Sequence, residues 1–311
     1  MINLLLTLAM VKFAIITGGT RGIGKGISQI LAADPNYDGL LLTYNTNVEA
    51  AKAFASELEA EHGIQVKIVG GDLSTVEARD GIFGVADDFV TEGYSLATMV
   101  HNAGQYVGVT SDNVKNLPAA NAPGGMAGKK FGDGSLLKED GSLDTSYMEY
   151  YQALYGTAFV DLCERSLVRM KKAHEECQAK GDKYRGSIIG ISSPGCNANY
   201  KVIPGYDLPG SGKCIMEYAI RLYALEAAKY GINANVIIPG FTRSDAWGKI
   251  AEGRGMERDA FMDRLKDQLV PMGEIVEATD IGETVAFLSG NGGGRFMTGL
   301  SLRVDGGLHL K

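Results

Sequence analysis

Directly after the apolar run Lys12–Thr17 (KFAIIT) the chain reads Thr17-Gly18-Gly19-Thr20-Arg21-Gly22-Ile23-Gly24, and an amphipathic stretch follows without a break. That order limits the fold more than any other feature. A strand that ends in a glycine-rich turn and opens a helix gathers free backbone N–H groups and the positive end of the helix dipole at one point. The glycines permit the tight turn and let a phosphate-bearing ligand approach the backbone closely. Gly-rich turns also occur simply as tight turns. This one has a strand before it and a helix after it, the context that a dinucleotide pyrophosphate site requires. Gly18, Thr20, Arg21, Gly22, Ile23 and Gly24 are the residues this reading assigns to a cofactor.

Six more short apolar runs follow: Gly39–Tyr44, Val66–Gly70, Leu96–His101, Ser187–Ile191, Asn233–Ile238 and Ser301–Val304. Nearly continuous apolar runs suit parallel strands covered on both faces. Between them lie helix candidates at Gly24–Ala33, Val48–His62, Glu77–Thr91, Tyr147–Ala173, Lys213–Tyr230 and Asp280–Leu288. Alternation of this kind means right-handed crossovers and a doubly wound parallel sheet flanked by helices. The expected fold is α/β, a single Rossmann-type domain over residues 1–311, with no internal repeat. Residues 1–10 (MINLLLTLAM) are too short to span a bilayer and lack the basic start and small-residue cleavage site of a secretory signal. They are an extra strand, an adventitious extension before Met10 or part of an organelle address. Residues 105–145 break the rhythm with Gly- and Asn-rich sequence, and a loop that long is a functional lid or a disordered insert.

A formal net charge of −7 argues against a nucleic-acid partner, which leaves a basic footprint. The four cysteines, Cys163, Cys177, Cys196 and Cys214, form no C-x-x-C pair and only four histidines accompany them. No metal site and no disulfide framework is expected, but reduced thiols in a cytoplasmic protein, with an organelle left open. No membrane partner is expected.

The other strand ends carry their own markers. Asp72-Leu73 follows the third strand, where a carboxylate can accept from an adenine amino group. Asn102-Ala103-Gly104 follows the fourth, Pro239-Gly240 the sixth and Asp305-Gly306-Gly307 the seventh. Ligands of open α/β sheets bind at the carboxyl ends of strands, so these markers fall on the binding edge. An NAD site commonly places an acid about twenty residues beyond the glycines, on the ribose 2′-hydroxyl. Here the second strand ends Thr43-Tyr44-Asn45-Thr46-Asn47, without an acid. Arg21 can pair with a 2′-phosphate, or be a solvated loop cation. Tyr44 and Asn45 border that place, and the cofactor indicated is NADP(H) rather than NAD(H).

T-G-x-x-x-G-x-G, N-A-G, a Lys opening a helix, P-G and V-D-G-G, in that order from Val11 to Leu308, resemble the short-chain dehydrogenase/reductase family. The resemblance implies a seven-stranded parallel sheet and a homodimer or homotetramer built on the two long central helices. It also implies an active site of Y-x-x-x-K with a serine upstream. Hydride transfer leaves negative charge on oxygen, which a tyrosine beside a lysine ammonium can meet. This chain departs from that pattern. Four residues before Lys213 stands Pro209, and the nearest tyrosine before the lysine is Tyr206, a Y-x6-K spacing. That spacing is similar to the enoyl-(acyl-carrier-protein) reductases, which act in fatty acid biosynthesis.

By this resemblance Lys213 holds the nicotinamide ribose hydroxyls and Tyr206 hydrogen-bonds a thioester carbonyl. The alternative for Tyr206 is a structural loop tyrosine, and for Lys213 a surface lysine. Ser193, in better register than Ser192, takes the place of the family serine. Cys196 and Tyr200 lie in the same loop, and Thr242 and Ser244 are placed to contact the carboxamide. The family asparagine of the fourth helix is absent, Ala153 standing at its position. Residues 243–271 form the substrate-covering segment, where Trp247 packs the lid or touches substrate. The expected activity is NADPH-dependent reduction of a conjugated C=C bond, of enoyl-thioester type, on a small-molecule or acyl-thioester substrate. The alternatives are a 3-oxoacyl-type carbonyl reductase or alcohol dehydrogenase and, with Pro209 as its motive, an inactive cofactor-binding protein.

Overall fold

The computed structural model describes residues 10–104, 131–197, 201–202, 206–244, 246–252 and 255–311. Seven strands, β1 (Lys12–Ile16), β2 (Gly39–Tyr44), β3 (Gln65–Gly70), β4 (Ser95–His101), β5 (Gly186–Ile191), β6 (Ile232–Pro239) and β7 (Ser301–Val304), form one sheet in the order β3-β2-β1-β4-β5-β6-β7. Every pairing in it is parallel. The helices are α1 (Gly22–Ala33), α2 (Val48–His62), α3 (Val76–Thr91), α4 (Ser146–Tyr151), α5 (Ala158–Ala179), α6 (Asp207–Ala227), α7 (Ala246–Glu252), α8 (Arg258–Leu269) and α9 (Ala278–Ser289). The architecture is the expected doubly wound α/β sheet. Its winding reverses between β1 and β4, and the crevice above that reversal is where such sheets take ligands.

β1 shows why the apolar runs are continuous. Phe13 and Ile15 pack into one layer with Ile82 and Phe83 of α3, Phe159 of α5 and Met216 of α6. Ala14 and Ile16 face the other layer, with Ile27 and Leu31 of α1 and Val285 and Leu288 of α9. A strand buried on both faces needs an apolar residue at every position, each such side chain contributing about 1.5–3 kcal/mol. α1 and α9 approach so closely that a Cβ on Gly26 would lie 2.3 Å from the Ala278 backbone.

Two helices differ from the sequence expectation. The one expected to open at Lys213 begins at Asp207, so Lys213 sits in its second turn. Pro209 falls in the first turn, where a backbone N–H has no intrahelical acceptor and a proline costs nothing. The helix expected over Tyr147–Ala173 consists of α4, a six-residue π-helical segment Gln152–Thr157, and α5. Apolar periodicity gives no sign of such a change of winding.

Residues 243–271 supply α7 and α8. Of the 105–145 insert, residues 105–130 lie outside the described residues. The remainder makes tight turns closed by an antiparallel bridge between Leu137 and Leu143, both exposed. Residues 1–9 and Tyr200 are likewise outside the described residues.

Candidate active site at the carboxyl edge of the sheet

The glycine turn is held from behind so that its front stays open. Thr17, fully buried, accepts the backbone N–H groups of Asn102 and Ala103 on its hydroxyl, each at 2.9 Å. Asn102 donates back to the carbonyls of Thr17 and Gly18 at 3.1 and 3.3 Å, and Ser28 of α1 donates to the carbonyls of Gly19 and Gly24. With its carbonyls engaged behind, the turn bends through positive φ at Gly18 and Gly22. A Cβ on Gly24 would stand 2.0 Å from the Gly18 carbonyl oxygen, so only glycine fits there. Arg21 caps α1 without a side-chain hydrogen bond, and the first amides of that helix have no intrahelical acceptor. Unspent N–H groups, a positive helix end and a cradle closed to side chains fit a dinucleotide pyrophosphate.

Around this turn the other assigned residues take distinct positions. Thr20 and Ile23 are half-buried and Arg21 is exposed. The ring of Tyr44 covers Gly70, where a Cβ would come within 2.8 Å of it; Asn45 is exposed, and Asn47 is spent capping α2. Asp72 accepts from the Ser74 N–H at 2.9 Å and from the Tyr150 hydroxyl at 3.3 Å. Leu73 is buried, and its carbonyl accepts from Arg79. Gly104 lies against Tyr155, which a Cβ there would meet at 2.8 Å. After β6, Gly240 packs on Asp305, and Thr242 is buried, donating to the Gly240 carbonyl at 3.1 Å. Ser244 borders Gly22, so the base of the covering segment abuts the glycine turn. Trp247 packs that segment: its ring meets Phe241 and Phe261, and its indole N–H donates to the Thr242 carbonyl.

Ser193, Tyr206 and Lys213 come together beside these residues. The Tyr206 hydroxyl lies 3.0 Å from Ser193 Oγ, and Lys213 Nζ donates to the same oxygen at 3.2 Å. The ammonium also donates to the carbonyls of Ile191 and Ser192, at 3.0 and 3.3 Å. Lys213 is 7% exposed, and burial pushes its pKa down to about 8 against the pull of the Glu217 carboxylate. Of the two adjacent serines, Ser193 faces the cluster; Ser192 is buried, its hydroxyl without a partner among the described residues. Cys196 is also buried, and burial raises its thiol to about 12, which leaves it protonated and unreactive at neutral pH. Pro209, at the position four before the lysine, is buried and offers no proton.

Two neighbours carry no sequence signal that singles them out. Tyr155, from the π-helical segment, sets its ring 4.8 Å from Lys213 Nζ. His101, at the end of β4, is fully buried between Thr17 Oγ1 and the Leu154 carbonyl, at 3.1 and 3.2 Å. Thr17 already accepts two N–H groups, so its own proton goes to His101 Nδ1 and Nε2 donates to Leu154, a neutral imidazole. Burial and the nearby Lys213 charge hold its pKa down at about 3, consistent with that tautomer. The glycine turn and the π-helical segment are thereby tied through one side chain.

The chain matches two family models, short chain dehydrogenase over residues 12–121 and Enoyl-(Acyl carrier protein) reductase over residues 137–309. A 3-oxoacyl-(acyl-carrier-protein) reductase of Staphylococcus aureus is 26% identical over 316 residues, spanning 97% of this chain and 99% of the relative. A 1-cyclohexenylcarbonyl-CoA reductase of Streptomyces collinus is 26% identical over 300 residues, spanning 96% and 87%. Among solved structures, L-sorbose reductase from Gluconobacter frateurii, complexed with NADPH and L-sorbose, superposes with a TM-score of 0.72 at 20% identity, over 97% and 98% of the two chains. Family matches to both halves of the chain, on this sheet and this site, show that the protein belongs to the short-chain dehydrogenase/reductase family of oxidoreductases.

Proposed function

We propose that the protein is an NADP(H)-dependent reductase of a conjugated carbon–carbon double bond in an acyl thioester. The observation that carries this reading is the hydroxyl chain Tyr206–Ser193–Lys213, built on a tyrosine seven positions before the lysine, with proline at the ordinary tyrosine position. The match of residues 137–309 to the enoyl reductase model and the likeness to a cyclohexenylcarbonyl-CoA reductase support it. NADP(H) is supported by an exposed Arg21 in the glycine turn and by a second strand that ends without an acid, and NADPH is the nucleotide in the sorbose reductase complex.

The glycine turn Gly18–Gly24 would hold the pyrophosphate, Arg21 the 2′-phosphate, and Asn102–Gly104, Lys213, Pro239, Gly240 and Thr242 the nicotinamide half. Bound there, the nicotinamide supplies a hydride. The protein's part is to meet the negative charge that then develops on the thioester oxygen. Tyr206 donates a hydrogen bond to that oxygen, Ser193 orients the Tyr206 hydroxyl, and the buried Lys213 supplies positive charge behind both. The segment carrying α7 and α8, with Trp247 packed inside it, covers the substrate.

A second reading, reduction of a 3-oxo group, is favoured by the direct Ser193–Tyr206 contact and by the 3-oxoacyl reductase relatives, because a paired hydroxyl also suits proton delivery to a ketone oxygen. NADPH oxidation with crotonyl-CoA and with acetoacetyl-CoA separates the two, run beside Tyr206→Phe and Lys213→Ala. Turnover of the enoyl thioester alone, lost in both variants, is the expected result. Turnover of the ketone alone moves the protein to the carbonyl reductases. NADPH binding with silence on both substrates overturns the assignment.

The assembly we infer is a dimer or tetramer through α5 and α6. Val168 on α5 and Tyr218, Leu222 and Leu225 on α6 are exposed at 69%, 61%, 50% and 76%, an apolar stripe along two adjacent long helices. A second copy of the same face would bury it.

A further inference from the structure

Lys213 works as a cation, yet it is buried among groups that do not neutralise it. Its own helix contributes Glu217, whose carboxylate receives the Ser301 hydroxyl at 2.6 Å, and Cys214. From the loop after β5 come the protonated thiol of Cys196 and the Ser193 hydroxyl, with Tyr206 beyond it. From β4 comes His101, neutral. No carboxylate forms an ion pair with Lys213 among the described residues, and the contacts on its ammonium are two carbonyls, one hydroxyl and the face of one aromatic ring.

That ring is placed with care. The π-helical winding of Gln152–Thr157 widens the helix locally and presents Tyr155 toward α6. The Leu154 carbonyl, one residue earlier, is tied to His101. Tyr155 is 2% exposed and wedged between two glycines: a Cβ on Gly104 would meet its ring at 2.8 Å, and a Cβ on Gly212 would meet its Cβ at 3.0 Å. Tyr151 stacks parallel to it, ring centroids 6.0 Å apart. Its centre lies 4.8 Å from Lys213 Nζ, within the range over which a ring face attracts a cation, and desolvation strengthens that attraction.

We infer that Tyr155 is a positioning residue for the reaction: the π-face of its ring keeps the buried Lys213 ammonium charged and in place beneath Ser193 and Tyr206. The inference rests on the catalytic reading of Lys213. It predicts that an electron-rich aromatic face is required at this position. Against Tyr155→Phe, which keeps the ring, Tyr155→Leu should let Lys213 lose its proton about one pH unit earlier, the scale of a desolvated cation–π contact.

The test follows the basic limb of the kcat/KM pH profile and, on the same proteins without nucleotide or substrate, the titration of the Lys213 ε-CH2 resonance in 13C-lysine-labelled material, assigned with Lys213→Met. Should Tyr155→Leu fold poorly, 3,4,5-trifluorophenylalanine at position 155 keeps the shape of phenylalanine and weakens the negative ring face. The expected result is a midpoint lower in Tyr155→Leu and in the fluorinated protein than in Tyr155→Phe. Equal midpoints in all of them, or a displacement in Tyr155→Phe as large as in Tyr155→Leu, overturn the inference. The resonance titration reads the ring and the lysine directly. A chain that reduces neither thioester but shows the graded midpoints loses the assigned activity and keeps the ring–ammonium pairing.

Discussion

Replacing Lys213 by methionine keeps the length of the side chain and removes the charge, and its effect on stability should depend on pH in a defined way. In the folded protein burial pushes the lysine from 10.5 down to about 8. Between those two values the unfolded chain holds the proton and the folded chain does not. More protons on the unfolded state means that stability rises with pH. Below pH 8 both states are protonated and this contribution is flat, at its most unfavourable. Each pH unit is worth about 1.4 kcal/mol, so from pH 8 to pH 10.5 the parent should gain about 3 kcal/mol relative to Lys213→Met. The variant also strands the carbonyls of Ile191 and Ser192, at a cost of about 1–3 kcal/mol each. That cost hardly depends on pH, so it displaces the difference curve without changing its slope. Urea unfolding of both proteins followed by circular dichroism at pH 7, 8, 9 and 10, at one protein concentration and without nucleotide, measures the slope. A difference constant from pH 7 to pH 10 would refute the reasoning, because it would mean the ammonium is as well solvated inside as outside.

Arg21→Ala should raise the KM for NADPH about tenfold, the lower end for loss of a charge-assisted contact by an exposed side chain, and leave NADH within about twofold. Steady-state kinetics with both nucleotides check this, and an equal loss for both would remove Arg21 from the 2′-phosphate. Leu222→Asp, placed in the exposed stripe of α6, should dissociate the assembly to a folded monomer in sedimentation velocity. An unchanged sedimentation coefficient would assign the α5–α6 face to solvent.

The sheet was legible because its strands are buried on both faces. Seven apolar runs in sequence became seven strands, each end within one residue, since short runs such as Leu40, Leu41 and Leu42 between turn residues suit a strand covered on both faces. The turn after β1 was legible for a different reason. Gly24 cannot carry a side chain within 2.0 Å of the Gly18 carbonyl, and steric demands of that kind leave glycines at fixed spacing. What stayed hidden was set by the helix before the site. Nothing in the string QALYGT distinguishes a π-helical segment from an α-helical one, so neither the place of Tyr155 over Lys213 nor the tie from Leu154 to His101 could be read from it. The start of α6 was missed because Pro209 looks like a breaker until it is placed in a first turn, where its missing N–H has no role.

That same helix start bears on how a tyrosine so far from its lysine can still serve it. A residue four positions before Lys213 is one turn away on the same face, close enough for direct contact. Seven positions is about two turns, again nearly the same face, but about 10 Å along the axis. Tyr206, at the cap of α6, therefore reaches the ammonium through an intermediary, and the distances identify it: 3.0 Å from Tyr206 to Ser193 and 3.2 Å from Ser193 to Lys213. In a Y-x-x-x-K arrangement the serine can be an accessory to a tyrosine already beside its lysine. Here one hydroxyl completes both contacts, so Ser193 is the link between Lys213 and Tyr206. On the proposed reading, the Y-x6-K spacing thus puts the weight of the site on the serine, and the register of Ser193 against Ser192 becomes the detail on which the hydroxyl chain depends.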